Sequence, residues 1–167
     1  ARPKPVPKPG CASCWIAPSF SAIQLKHGPH AGDLVACLDY SNEPGHEGGG
    51  PVERSGTLIS VDHGLSWAVG ATGVLGDECA IAELGNGTVV LNARNYINQA
   101  EKTVHRSIAW SDDGARTFTP VYFAPSLPDP VVEGAMVFGR YTPEELGVGL
   151  PLFFTNPASE TAREDIT

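Results

Sequence analysis

Two ionisable residues sit symmetrically about one turn signal. Glu78 and Arg94 are sixteen positions apart, and Gly85-Asn86-Gly87 falls midway between them. The flanking runs, Glu78 to Leu84 and Thr88 to Tyr96, alternate like strands, so the segment predicts a β-hairpin. If all three turn residues form the loop and it ends on a left-handed glycine, Leu84 faces Thr88 and Glu78 faces Arg94. Carboxylate and guanidinium then share a face with Ala80, Ala82 and Asn92, small or polar neighbours that read as a ligand-lining surface rather than a core. A two-residue Asn-Gly turn would slip the register by one and send the two charges to opposite faces. The chemistry open to such a pair runs from a cross-strand ion pair, contributing well under about 1 kcal/mol, to a carboxylate base beside an anion-binding arginine.

Other reactive side chains give weaker signals. Cys11-Ala12-Ser13-Cys14 has the spacing of half a zinc site or of a redox pair, but Cys37 and Cys79 do not supply a second pair at matching spacing, so no metal site is expected. The pairing of the four cysteines stays open. The histidines, His27, His30, His46, His63 and His105, are scattered among Gly and Pro. Gly45-His46-Glu47-Gly48-Gly49-Gly50 reads as a loop, because such a glycine run does not hold the helix that a His-Glu-x-x-His metal motif needs. Asn86-Gly87-Thr88 is a glycosylation sequon and equally a turn signal.

Short elements must position these residues. The sequence has 167 residues, a length that suits one domain, and 41% hydrophobic composition supplies a core. Gly 19 and Pro 15 together make up about a fifth of the chain, against a usual ~12%, which breaks up long helices. With 11 Lys+Arg against 19 Asp+Glu the net charge is −8 and the pI is near 5.0, a balance that disfavours nucleic acid as a partner. No run reaches the ~18 apolar residues of a membrane span. Residues 1–15 read as a Pro-rich extended arm and 16–167 as the folded domain. The first residue is Ala1 and the only methionine is Met136, which reads as part of a longer product.

Strand-like runs recur at Ala22 to Leu25, Asp33 to Tyr40, Thr57 to Asp62, Glu78 to Leu84, Thr88 to Tyr96, Ser107 to Ser111, Val121 to Phe123, Ala135 to Phe138 and Leu150 to Phe154. Thr142-Pro143-Glu144-Glu145 predicts a single helical turn. The chain is therefore expected to be all-β. A repeat narrows the choice: Ser60-Val61-Asp62-His63-Gly64-Leu65-Ser66-Trp67 aligns with Ser111-Asp112-Asp113-Gly114-Ala115-Arg116-Thr117-Phe118, 51 residues on. That period matches one four-stranded β-propeller blade. The motif is a hairpin turn in which Asp accepts backbone N–H groups, Gly allows positive φ and the ring packs the tip onto the blade.

These two segments resemble the Asp boxes of the sialidase (neuraminidase) family, six-bladed β-propellers that release terminal sialic acid from glycoproteins, glycolipids and oligosaccharides. Asp77 to Asn95 resembles the sialidase segment that carries a catalytic Glu and, some sixteen residues later, an active-site Arg. Asp129-Pro130-Val131-Val132 and Leu152 to Ser159, ending at Arg163, resemble the stretch leading to a further active-site Arg. The likeness is to the animal lysosomal sialidase branch and its bacterial relatives, over roughly Ile16 to the end. It implies an incomplete arc of about three four-stranded blades from the middle of the propeller.

By that resemblance Arg94 and Arg163 are two members of the arginine triad that grips the sialic acid carboxylate, and Glu78 is the base for a nucleophilic tyrosine. No metal or organic cofactor is implied, and the location would be lysosomal or extracellular. The first triad Arg, the acid Asp and the nucleophilic Tyr of the family have no counterparts here, since Tyr40, Tyr96, Tyr122 and Tyr141 all precede the expected place. Ala115 and Phe118 depart mildly from the Asp-box pattern, and Ala17-Pro18-Ser19-Phe20-Ser21 replaces a Gly-rich stretch. The expectation is an exo-α-sialidase segment that is inactive alone. A trans-sialidase shares every residue named. A non-catalytic Asp-box propeller that binds glycans or proteins is the alternative from another class.

Overall fold

The structure, a computed structural model, describes residues 16–41, 53–95, 104–139 and 151–164. The expected Pro-rich arm, the loop at Gly45 to Gly50, the helical turn at Thr142, and Cys11, Cys14, Tyr96 and Tyr141 lie outside the described residues.

Alternating runs become antiparallel ladders wherever turn chemistry stops them. The first sheet orders β1 (Ile16–Gln24), β2 (Leu34–Ser41), β3 (Glu53–Ser60) and β4 (Ala68–Val69), with β5 (Val74–Leu75) also paired to β3. The second orders β6 (Cys79–Glu83), β7 (Val89–Ala93), β8 (His105–Ser111) and β9 (Tyr122–Pro128), and β10 (Ala135–Phe138) pairs with β11 (Leu152–Thr155). A 3₁₀ turn at Gly28–His30 is the one helical element among the described residues. The first strand of the second sheet, β6, packs beside β1 and β10, the arrangement of inner strands in successive propeller blades. The chain is all-β and forms part of a propeller, whose third blade is represented among the described residues by β10 and β11.

Several strands differ from expectation for local reasons. β1 begins at Ile16 rather than Ala22, because a register shift between Pro18 and Ala22 breaks the alternation that marks a strand. β9 runs on from Phe123 to Pro128. Its prolines are tolerated because, among the described residues, β9 pairs only with β8 and forms the edge of its sheet.

Both faces of the second sheet are buried. Cys79 and Ile81 of β6 join Val89, Leu91 and Ala93 of β7 in one core with Val35, Cys37 and Ile59 of the first blade. The opposite face, with Val90, Ile108 and Ala124, packs with Met136 of the third blade. The Cys37–Cys79 disulfide staples the first two blades, with Cα atoms 5.9 Å apart. Nearby, the Thr57 hydroxyl donates to the Ala115 carbonyl at 2.7 Å and Arg116 pairs with Asp33 at 2.8 Å.

The two Asp boxes join the third and fourth strands of their blades. The Asp62 carboxylate accepts the N–H and hydroxyl of Ser66, and Asp113 accepts those of Thr117. In both turns the fourth and fifth positions are left-handed, His63 and Gly64 in the first, Gly114 and Ala115 in the second. Glycine therefore relieves a different one of the two positions in each box. Trp67 packs against Leu38, Tyr40 and Leu58, and Phe118 against the core between the first two blades.

Because the disulfide closes a loop of 42 residues between blades, replacing Cys37 and Cys79 together with Ala is expected to lower the unfolding free energy by about 2–4 kcal/mol. Urea unfolding followed by tryptophan fluorescence measures this; an unchanged midpoint would remove the staple from the account of stability.

Candidate active site

Antiparallel order places the starts of β1, β3, β6, β8 and β10 and the ends of β2, β5, β7, β9 and β11 at one end of the sheets, with both Asp boxes at the other. Charged side chains gather at the first end. The β6–β7 register pairs Cys79 with Ala93 and Glu83 with Val89, and Leu84 accepts the Gly87 N–H while donating to Thr88. This is the three-residue turn, with Gly87 at φ 88°. Arg94 N–H donates to the Glu78 carbonyl, so the two charged side chains emerge opposite one another.

Arg94 Nη1 lies 2.8 Å from Glu78 Oε2 and Arg94 Nε 3.4 Å from Asp77 Oδ2. The Arg94 side chain is only 18% exposed and that of Glu78 33%, so this is no freely solvated surface pair. Gly76 permits the approach: a Cβ there would sit 2.5 Å from the Ala93 Cβ. Burial opposes the charge on Arg94, but the Glu78 hydrogen bond and the neighbouring carboxylates outweigh it and raise its pKa.

Two more carboxylates stand behind Asp77. Asp39, at the end of β2, and Glu53, at the start of β3, are both buried. Burial, and then the charge of Asp77, push Asp39 up to about 6. Burial, then Asp77 and Asp39, push Glu53 up to about 7 against the pull of Arg94. Glu53 Oε2 has no hydrogen-bond partner among the described residues, as suits a group with a raised pKa. Burial is also the largest influence on Asp77, whose pKa is raised despite Arg94.

Arg163 occupies the neighbouring blade. It is exposed, its Nη2 donates to the Val131 carbonyl at 2.9 Å, and it lines a cleft of about 550 Å³ with Ser21, Ala80, Glu133, Asn156 and Pro157. The structure thus brings Glu78 and Arg94 into contact and leaves Arg163 on a separate wall. Ala80, Ala82 and Asn92, expected to line a ligand surface, are instead 1%, 3% and 1% exposed. Ala80 still borders that cleft and Ala82 a second one with Glu83 and Met136, whereas Asn92 is withdrawn and accepts from the buried Arg106. Tyr40 accepts the Gly73 N–H, and Tyr122 stacks near Trp110 on the outermost strands.

Sequence reading missed Asp39, Glu53 and Arg106. A signal existed for two of them: Asp39 shares a face of β2 with Val35 and Cys37, and Arg106 shares a face of β8 with Ile108. A charge that interrupts an apolar face must find a partner inside.

Over 164 residues the chain is 34% identical to a sialidase of Micromonospora viridifaciens, an alignment covering 96% of this chain and 24% of that protein. It therefore spans about a quarter of that relative's length. A Hadza microbial sialidase superposes with a TM-score of 0.64 at 25% identity, over 81% of this chain and 24% of its own. A leech intramolecular trans-sialidase gives 0.69 at 16% identity, over 91% and 21%, a likeness of fold alone. No protein-family model matches the chain.

The carboxylates set opposing pH dependences. Asp39 and Glu53 titrate at about 6 and about 7 in the folded chain against 3.8 and 4.5 ordinarily, so their stabilising contribution is full below those ordinary values and lost as pH rises through 6 to 7. Asp62, held by the Ser66 hydroxyl, and Asp113, held by the Thr117 hydroxyl against burial, titrate at about 2 instead of 3.8. Their contribution is present above 3.8 and lost as pH falls through 2. The thermal midpoint should peak at about pH 4, fall as the pH rises to about 7 and level off above that, and Glu53→Gln should flatten that fall. Parallel pH profiles for the variant and the parent would count against the assignment.

Proposed function

With the chain a homologue of part of a sialidase and folded as part of a sialidase-type propeller, we propose that it carries one segment of an exo-α-sialidase active site, in which Arg94 and Arg163 bind the sialic acid carboxylate and Glu78 is the base. The observation that carries this reading is the Glu78–Arg94 contact at 2.8 Å, formed where the sequence most resembles the sialidase pattern. A planar guanidinium pairs with a carboxylate through two parallel hydrogen bonds and stays charged at any working pH. The substrate carboxylate would compete for Arg94 Nη1 and release Glu78, so that anion binding frees the base. Glu78 would then take the proton of a nucleophilic tyrosine, a neutral attacker that meets less repulsion beside an anionic sugar. Tyr40 and Tyr122 are both otherwise placed, and neither is assigned that part. The substrates would be sialylated glycans.

Titrating the ¹⁵N-labelled chain with N-acetylneuraminic acid tests the reading. Shifts are expected at Arg94, Glu78 and Arg163, with affinity reduced about tenfold or more by Arg94→Met and by converting the ligand carboxylate to its methyl ester. Equal affinity for acid and ester would refute carboxylate recognition. The 167-residue chain alone is expected to leave a fluorogenic sialoside uncleaved; turnover above the buffer rate that disappears in Arg94→Ala would overturn that expectation.

A further inference from the structure

Between the second and third blades an ion pair is sealed from solvent. Arg106 and Asp129 each have 0% exposure, with Arg106 Nη1 3.5 Å from Asp129 Oδ1. Burying two charges strips their hydration, and such a pair is seldom more stabilising than apolar side chains of equal volume. What the pair holds is more informative. Asp129 Oδ2 accepts the backbone N–H of Asn95, the residue after Arg94, at 2.6 Å. Its Oδ1 accepts the N–H of Val132 at 3.2 Å. The preceding residue, Val131, gives its carbonyl to Arg163 Nη2 at 2.9 Å.

Arg106 completes the frame. It donates through Nη1 to the Val132 carbonyl and through Nε to Asn92 at 2.8 Å, on β7 two residues before Arg94. Its guanidinium lies 5.3 Å from the centre of the Phe154 ring on β11. Asn156, just past β11, donates to the Pro128 carbonyl at 2.6 Å. Val131 has φ 59°, a left-handed conformation that a β-branched residue rarely adopts, so its turn is held by these bonds rather than by its own preference.

We infer that Asp129, charge-balanced by Arg106, is a positioning residue that fixes the separation of Arg94 and Arg163, one of its oxygens tying the backbone just after Arg94 and the other the turn whose Val131 carbonyl holds the Arg163 guanidinium. The inference rests on the reading of those arginines as carboxylate ligands. A carboxylate suits the task because both oxygens only accept. Asparagine at the same place would turn a donor toward one of the two N–H groups. Tethering Arg163 through one nitrogen leaves its remaining donors for a ligand.

A double-mutant cycle on N-acetylneuraminic acid affinity, measured by NMR titration, tests this. Asp129→Asn is expected to weaken binding about tenfold in the otherwise unchanged chain and to have little further effect once Arg163→Ala is present, because the separation then has no second arginine to set. Arg106→Lys keeps a positive charge beside Asp129 but loses the planar fork, and it repeats the cycle if Asp129→Asn does not fold. Independent, multiplying losses in both cycles would make the pair merely structural and overturn the inference. If the unmodified chain binds no N-acetylneuraminic acid, the carboxylate-ligand reading falls and the spacing role with it. Binding with multiplying losses removes the spacing role alone.

Discussion

The register of the β6–β7 hairpin is the constraint on which the rest of the structure depends. Side chains alternate between faces with a period of two, and here both faces are buried, one against the first blade and one against the third. A slip of one residue would exchange Ile81 and Leu91 for Ala80 and Asn92 throughout. The core between the first two blades would lose its large side chains, and Glu78 and Arg94 would part. The left-handed Gly87 prevents this by fixing the turn at three residues, so one backbone conformation secures packing and the charged contact together.

Charge is distributed along the sheets with a clear physical division. At the Asp-box end, aspartates satisfy turn N–H groups and hydroxyls, and this local bonding lowers their pKa values. At the opposite end, Asp77 and Glu53 lie within the influence of Arg94 with Asp39 beside Asp77, and burial with repulsion between carboxylates raises their pKa values. The first arrangement closes hairpins, and the second gathers charge where the strands end. Sites with such perturbed carboxylates are where anion recognition and proton transfer are commonly found.

The blades are joined differently at their two interfaces. Between the first and second, a disulfide and an apolar core do most of the work. Between the second and third the apolar cluster is smaller, and a buried guanidinium and carboxylate bind backbone groups from both sides. An ion pair with directional hydrogen bonds defines position more sharply than apolar contact, which has no preferred angle. Directional bonds here tie the chain beyond β7 to the turn that follows β9.

The sequence by itself determined the all-β class, the two Asp-box turns and the blade period, because these follow from local turn chemistry and alternation. It also narrowed the hairpin to two registers, one of which sets Glu78 opposite Arg94. Only the tertiary structure decided what covers each face. Ala80, Ala82 and Asn92 looked suited to a ligand because they are small or polar, yet all three are nearly sealed from solvent and Asn92 is taken up by Arg106, a contact that no local pattern encodes. The Cys37–Cys79 pairing and the partners of Asp39, Glu53 and Arg106 were likewise invisible, because each joins residues from different strands or blades, although the charges interrupting apolar faces at Asp39 and Arg106 did show that partners were needed. Alternation reports which side a residue takes within its own strand; what waits on that side depends on how separate sheets stack.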